Sequence, residues 1–408
     1  YILMKSFFLI ALAILAFSVT YSQTEMAQFR GPERNGLYPA KDLLTRWPEG
    51  GPELLWKFDD LGKGYSSPIV TSNRIFEIGQ VDGIGYVFSF DHNGKLLWRK
   101  PLGKEYAGEW PGIYSTPVIY DNLGYIVNGL GILYCFNADN GSILWSRNIL
   151  NDYKGQKASS GFLDNLLVDG EKVYCTPGGK GMNMVALNRK NGDLIWASGG
   201  DTIVNAYCTP ILVESNGKKY CIYQTSKLIN ALDADNGKLA WSYKKRGSSP
   251  PNTPVYQNGC LFVPDFNSGS IKLRISNDWK EVTEVWRTAG LQTNIGDAVV
   301  LGGRVFGKGK KDKFYCVDWN TGKELYSKTD KNMVATTITA DNLLYCYQFD
   351  GTFDLLKPLN DKFEKVGTFQ VKGGSENHCS HPVIYNGKLY IRHDNSLFVY
   401  NIANERHN

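Results

Sequence analysis

Ala231-Leu-Asp-Ala-Asp-Asn-Gly-Lys-Leu-Ala-Trp241 and Cys316-Val-Asp-Trp-Asn-Thr-Gly-Lys-Glu-Leu-Tyr326 are one eleven-residue unit written twice in the same chain. Cys135 to Trp145, Ala186 to Trp196 and Phe88 to Trp98 are further copies. The Asn-Gly or Thr-Gly pair reads as a hairpin turn, because glycine accepts the positive φ such turns require. The residues before it form one strand, and those after it form the next, ending in an aromatic. Upstream stands a second signal: Ser67-Pro68, Thr116-Pro117, Thr209-Pro210, Thr253-Pro254 and His381-Pro382 each open a short apolar run. Proline suits the first residue of a strand, where no ladder donor is needed. A short run such as Lys172-Val173-Tyr174 or Lys388-Leu389-Tyr390 follows. Each repeat therefore supplies four strands.

The aromatic ends fall at Trp56, Trp98, Trp145, Trp196, Trp241, Trp286 and Tyr326, between 40 and 51 residues apart. A four-stranded propeller blade takes about 40–50 residues. The next unit, around Phe363 to Phe369, is degenerate. The last runs from Pro382 to Ile402 and has no fourth strand, whereas Leu54-Leu55-Trp56-Lys57 is a fourth strand with no preceding three. The two fragments complete one blade. The expectation is an all-β, eight-bladed propeller of four-stranded antiparallel blades, closed by its N-terminal strand so that no sheet edge is left bare. Residues 53–408 form this single domain, behind a signal peptide at 1–22 and an N-terminal extension at 23–52.

The first segment is read from Lys5, the apolar run Phe7 to Val19 and the small residues Thr20 and Ser22, which follow the order of a secretory signal. A secreted or periplasmic protein with no membrane span after cleavage is expected. A net charge of +5 over 408 residues gives no electrostatic case for nucleic-acid binding. Of eight cysteines, Cys135, Cys175, Cys221, Cys316 and Cys346 each follow Tyr inside an apolar run, which suits small buried thiols better than disulfide partners. No C-x-x-C pair is present, so c-type haem attachment is excluded.

The recurrent Ala-x-Asp-x-x-Thr-Gly-x-x-x-Trp pattern resembles the tryptophan-docking motif of the quinoprotein (PQQ-like) repeat family, over nearly all of Glu53 to Ile402. The segments Phe29-Arg-Gly-Pro-Glu-Arg-Asn-Gly36 and Trp47-Pro-Glu-Gly-Gly-Pro52 also look like exported quinoprotein-repeat proteins. The resemblance implies Trp56, Trp98, Trp145, Trp196, Trp241 and Trp286 as packing between blades. It points to two functions. One branch comprises dehydrogenases that bind pyrroloquinoline quinone and calcium; another includes the propeller subunit of the bacterial outer-membrane barrel-assembly machine, a scaffold. The chain lacks the adjacent-cysteine pair that many of the dehydrogenases place against their cofactor. The expectation is a non-catalytic scaffold or binding protein, with no cofactor, meeting another envelope protein or a polar ligand. A quinone-dependent dehydrogenase with a reduced site is the alternative.

Chemistry would sit where the loops entering the innermost strands converge on the central channel. Tyr65, Trp110, Tyr114, Asn205, Tyr207, Asn294, Asp297, Glu376, His378 and His381 are the candidates there. Aromatics and amides of this kind suit a polar ligand or a peptide. Glu376, His378 and His381 are the most metal-like group. Asp297 is the one candidate catalytic base or calcium ligand, against the plainer reading of a loop cap. The basic runs Lys244 to Arg246 and Lys308 to Lys313 read as solvated loop tips.

Overall fold

The structure is a computed structural model that describes residues 26–404 except 109–110, 157–160, 180, 201–207, 248–251, 266–267, 294–297, 311, 330–334 and 375–376. Eight antiparallel sheets follow one another along the chain. Blade 4 is representative: Ile211–Ser215, Lys218–Gln224, Leu228–Asp233 and Leu239–Lys244 pair in sequence order. Blades 1 to 3 begin at Ile69, Val118 and Leu167, and blades 5 to 7 at Val255, Val299 and Ala335. Blade 8 holds Val383–Tyr385, Lys388–His393 and Ser396–Asn401, and its outer strand is Glu53–Phe58. The N-terminal strand thus closes the ring.

The hairpin between the third and fourth strands carries the repeat. In blade 4 the Asp233 carboxylate accepts the Asp235 amide at 2.9 Å, and Gly237 sits at φ +72°. Beyond the turn the register slips by one: Trp241 faces Ala231 while Leu239 faces Leu232, so Ala240 is an extra residue. This bulge turns the tryptophan into the gap between blades. The same slip precedes Trp56, Trp98, Trp145, Trp196, Trp286 and Tyr326. Five of the six indoles then lie under the turn glycine of the following blade. A Cβ added at Gly94, Gly141, Gly192, Gly237 or Gly322 would come within 2.5–2.7 Å of Trp56, Trp98, Trp145, Trp196 or Trp286 respectively. The Nε1 hydrogens of Trp145, Trp196 and Trp286 are donated to carbonyls of that turn at 3.0–3.1 Å.

Blade 7 departs from this plan. Its bulge places Gly367 opposite Leu355, on the rung where seven blades carry the docking aromatic. The space is filled from elsewhere: a Cβ at Gly367 would lie 2.8 Å from Cβ of Trp47, and the Trp47 ring packs edge-on to Phe369 with centroids 4.9 Å apart.

The rest of the extension enters the channel. Met26–Ala27 adds a fifth strand to the inner edge of blade 2, pairing with Tyr120 and Ile119. The chain then turns through Phe29–Gly36, with Arg30 and Arg34 both in the left-handed region (φ +63° and +54°) and both fully buried. Arg30 donates to Ala298 O of blade 6 at 3.0 Å. Arg34 donates to Leu166 O, Pro210 O and Gln28 Oε1, which ties blades 3 and 4 to the insert. Leu37 bridges Thr339 of blade 7, and Leu43 bridges Ala403 of blade 8. The insert therefore plugs the lower end of the channel. It leaves a cavity of about 630 Å³ against the inner edges of blades 1 and 8. All eight cysteines are free thiols, seven of them buried.

Candidate functional site

The upper mouth, where chain enters the innermost strands, is built on a belt of side-chain hydrogen bonds. The Ser67 amide donates to Thr116 Oγ1 at 3.0 Å, the Thr116 amide to Asn165 Oδ1 at 2.5 Å, and Asn165 Nδ2 to Thr209 Oγ1 at 2.8 Å. The Cys208 thiol then donates to Asn252 O, and Asn252 Nδ2 to Thr293 O, both at 2.9 Å. The belt joins blades 1 to 6 one to the next. It explains the threonine before two of the strand-opening prolines: Thr116 and Thr209 accept through their hydroxyls from the preceding blade, and the proline ring needs no donor of its own.

Above the belt, at blades 8, 1 and 2, three features lie together. Tyr65 and Tyr114 are stacked, with centroids 4.9 Å apart and rings 23° from parallel. They are joined at the backbone, where the Tyr65 amide donates to Ile113 O at 2.8 Å. Beneath them Arg392 of blade 8 and Glu77 of blade 1 form an ion pair at 3.2 Å, and neither side chain has any exposure. Arg392 also donates to Ser66 Oγ at 2.7 Å and to Gly62 O at 3.1 Å, and Ser66 Oγ donates to Glu77 at 2.5 Å. Burial pushes the carboxyl of Glu77 up, and the guanidinium opposes it. The third feature is His378, whose ring stacks on His393 at 3.3 Å and whose Nδ1 contacts the Tyr347 hydroxyl. Burial, with His393 alongside, holds His378 down at about 4.

His378 and His381 face different neighbours. His381 packs edge-on to Phe29 of the plug at 5.0 Å, and burial beside Arg30 holds it well below its ordinary range. Among the described residues no three His, Cys, Asp or Glu side chains gather as a metal would require. Trp110, Asn205, Tyr207, Asn294, Asp297 and Glu376 lie outside the described residues. Arg30 and Arg34 of the chain itself reach blades 6, 4 and 3 from within the ring.

Several groups at this mouth were not legible beforehand. Glu105 is buried between blades 1 and 2, with Oε1 accepting the Tyr106 and Gly129 amides at 2.7 Å and Oε2 unpartnered. Burial raises it to about 7. Asp164 accepts the Thr176 hydroxyl at 2.5 Å and is likewise raised to about 7 by burial. The loop-tip reading of the basic runs is wrong for two members. Lys245 and Lys308 are 6% and 5% exposed. Lys308 lies within the strand Arg304–Gly309, and Lys245 is tied inward by its amide, which donates to Lys227 O at 2.8 Å. A charged residue inside an apolar strand, such as Glu77 in Ile-Phe-Glu-Ile or Arg392 in Leu-Tyr-Ile-Arg, was the signal available for the seam pair.

This ring of bulge-docked blades defines an eight-bladed propeller of the quinoprotein type. Residues 83–284 match the family model described as outer membrane protein assembly factor BamB. The chain is 25% identical over 260 residues to a tetrathionate hydrolase of Acidithiobacillus ferrooxidans, covering 60% of this chain and 48% of that protein. It is 24% identical over 258 residues to outer membrane protein assembly factor BamB of Yersinia pestis, covering 59% and 60%. The matched regions thus span about half to three-fifths of those relatives. In fold it is similar to BamB from Moraxella catarrhalis, with TM-score 0.64, 14% identity and coverage of 87% of this chain and 99% of that one. It is similar too to the quinohemoprotein alcohol dehydrogenase of Comamonas testosteroni, with TM-score 0.66, 12% identity and coverage of 92% and 80%. Over residues 83–284 the chain thus resembles the assembly-factor family, and its fold is that of the PQQ-like β-propellers.

Proposed function

We propose that this protein is a non-catalytic propeller scaffold of the bacterial envelope, exported by its N-terminal signal, whose upper mouth receives a protein partner or a polar ligand. The observation that carries this reading is the plug. The chain's own residues 26–44 lie within the ring and contact six blades, which leaves the upper mouth as the face for recognition. There the stacked Tyr65 and Tyr114 offer a rigid amphipathic surface, the kind of side chain that anchors interfaces. Similarity to assembly factors of the outer membrane supports a partner from that machinery. The proposal includes no quinone, calcium or other metal.

The test places a photo-crosslinking residue at Tyr65 or Tyr114, and as a control at exposed Leu239 on the outer rim, in envelope preparations. A defined envelope protein captured from the mouth and not from the rim supports the reading. Equal capture from both refutes it. In a second arm, quinone with calcium is added to purified protein. Saturable submicromolar heat with alcohol-dependent dye reduction would establish the dehydrogenase instead.

A further inference from the structure

The run Lys244-Lys245-Arg246 is split by the fold. Lys244 and Arg246 are exposed, but Lys245 is buried at the upper mouth, on the side of blade 4 that faces blade 5. An ammonium carries three donors and no acceptor. Lys245 Nζ makes one hydrogen bond, to Gln224 Oε1, at a long 3.4 Å. The partner is neutral, and the rest of its amide is engaged: Gln224 Nε2 donates to Cys208 Sγ at 3.2 Å and to Asn252 O at 3.0 Å. The titratable groups facing the ammonium are the Cys208 thiol and the Asp265 carboxylate. Cys208 donates to Asn252 O, and Asp265 accepts the Ser268 amide at 2.8 Å; no described carboxylate forms an ion pair with Lys245.

A buried charge of this kind is costly unless an acceptor meets it, and each buried donor left unmet adds to the cost. We propose that Lys245 anchors an oxyanion-binding site between blades 4 and 5, which takes a carboxylate or a sulfur or phosphorus oxyanion on the ammonium's unmet donors. Two further observations agree. Lys308 is buried on blade 6 at the rung that Gln224 holds on blade 4, two residues beyond the pair Val299–Phe306 as Gln224 is two beyond Ile211–Ile222. Exposed Lys227, whose carbonyl accepts the Lys245 amide, and the sequence neighbour Lys244 add positive charge nearby. Burial lowers Lys245 to about 8, so the ammonium form still prevails at neutral pH and a bound anion returns it toward its ordinary value.

This site stands apart from the scaffold reading, because the test uses the purified protein without any partner. Lysines of the full chain are labelled by reductive 13C-methylation and assigned with Lys245→Met. Sulfate, phosphate and acetate are then titrated at constant ionic strength against chloride. The expected result is a rise in the Lys245 titration midpoint and saturable heat at millimolar concentration or tighter, both absent in Lys245→Met, whose unfolding midpoint should equal or exceed that of wild type because the costly buried charge is gone. The tightest anion names the class. A Lys245 resonance that none of the three moves in the wild-type chain overturns the proposal, as does equal binding by the methionine variant. If that variant fails to fold, the wild-type resonance alone decides.

Discussion

Trp47 lies against Gly367, on the one rung of the ring where a blade has no docking aromatic of its own. The indole is 5% exposed and contacts Tyr345, Phe353 and Phe369. It substitutes for a fourth-strand tryptophan from a point over 300 residues away in the chain. Trp47→Ala should therefore behave as a core truncation and cost about 3–5 kcal/mol. Gly367→Ala should also destabilise, because its Cβ would meet that of Trp47. Urea unfolding of both variants checks this, and a Trp47→Ala midpoint equal to wild type would show that the extension does not complete blade 7.

The Arg392–Glu77 pair crosses the seam between the last blade and the first. Removing one partner leaves the other charged and buried, which costs about 3–5 kcal/mol. Glu77→Leu and Arg392→Met are each expected to lose that much. The double variant should recover most of the loss, since two apolar groups leave no orphan charge. A double-mutant cycle in urea measures the coupling, and simple additivity would contradict a coupled pair.

Trp145 and Trp241 occupy equivalent rungs but differ in one bond. Trp145 Nε1 donates to Arg189 O at 3.0 Å, while Trp241 Nε1 is buried without a partner. The turn that Trp241 faces, in blade 5, carries Trp279 at φ +60° in place of the glycine that Trp145 faces. Substitution by Phe should cost about 1 kcal/mol more at position 145 than at 241. Equal costs, or the reverse order, would count against the hydrogen bond as a stabilising feature.

Glu105 and Asp164 should make stability fall as pH rises from mildly acidic to neutral, against the opposite pull of His378 and His381 below pH 6.5. Glu105 and Asp164 are raised from 4.5 and 3.8 to about 7 when folded. The folded state then holds protons that the unfolded state has released, so the stabilisation is complete below pH 4 and lost as pH rises through 7. His378 acts oppositely at the acid end: lowered from 6.5 to about 4, it costs stability as pH drops between those values. Lys245, lowered from 10.5 to about 8, makes stability rise again between those two values. Unfolding midpoints across this range test the shape. Glu105→Gln should flatten the decline toward pH 7, and an unchanged slope in that variant would remove Glu105 as its cause.

The repeat unit by itself determined the fold. The turn glycine, the terminal aromatic and the strand-opening proline are local signals, and their period of 40 to 51 residues counts the blades without any long-range information. The incomplete blade 8 was legible for the same reason, since Leu54 to Lys57 and Pro382 to Ile402 each lack what the other has. The plug was not. Phe29 to Gly36 has no periodicity, and its two arginines donate to carbonyls of blades 3, 4 and 6, which are brought together only once the ring has closed. The same holds for Trp47 against Gly367, for Arg392 against Glu77 and for the burial of Lys245. Each depends on which residues meet across a seam or channel, and a charged or aromatic side chain looks alike in sequence whether it is solvated or enclosed. Local chemistry settled the blades, and only their closure into a ring decided which polar groups water can no longer reach.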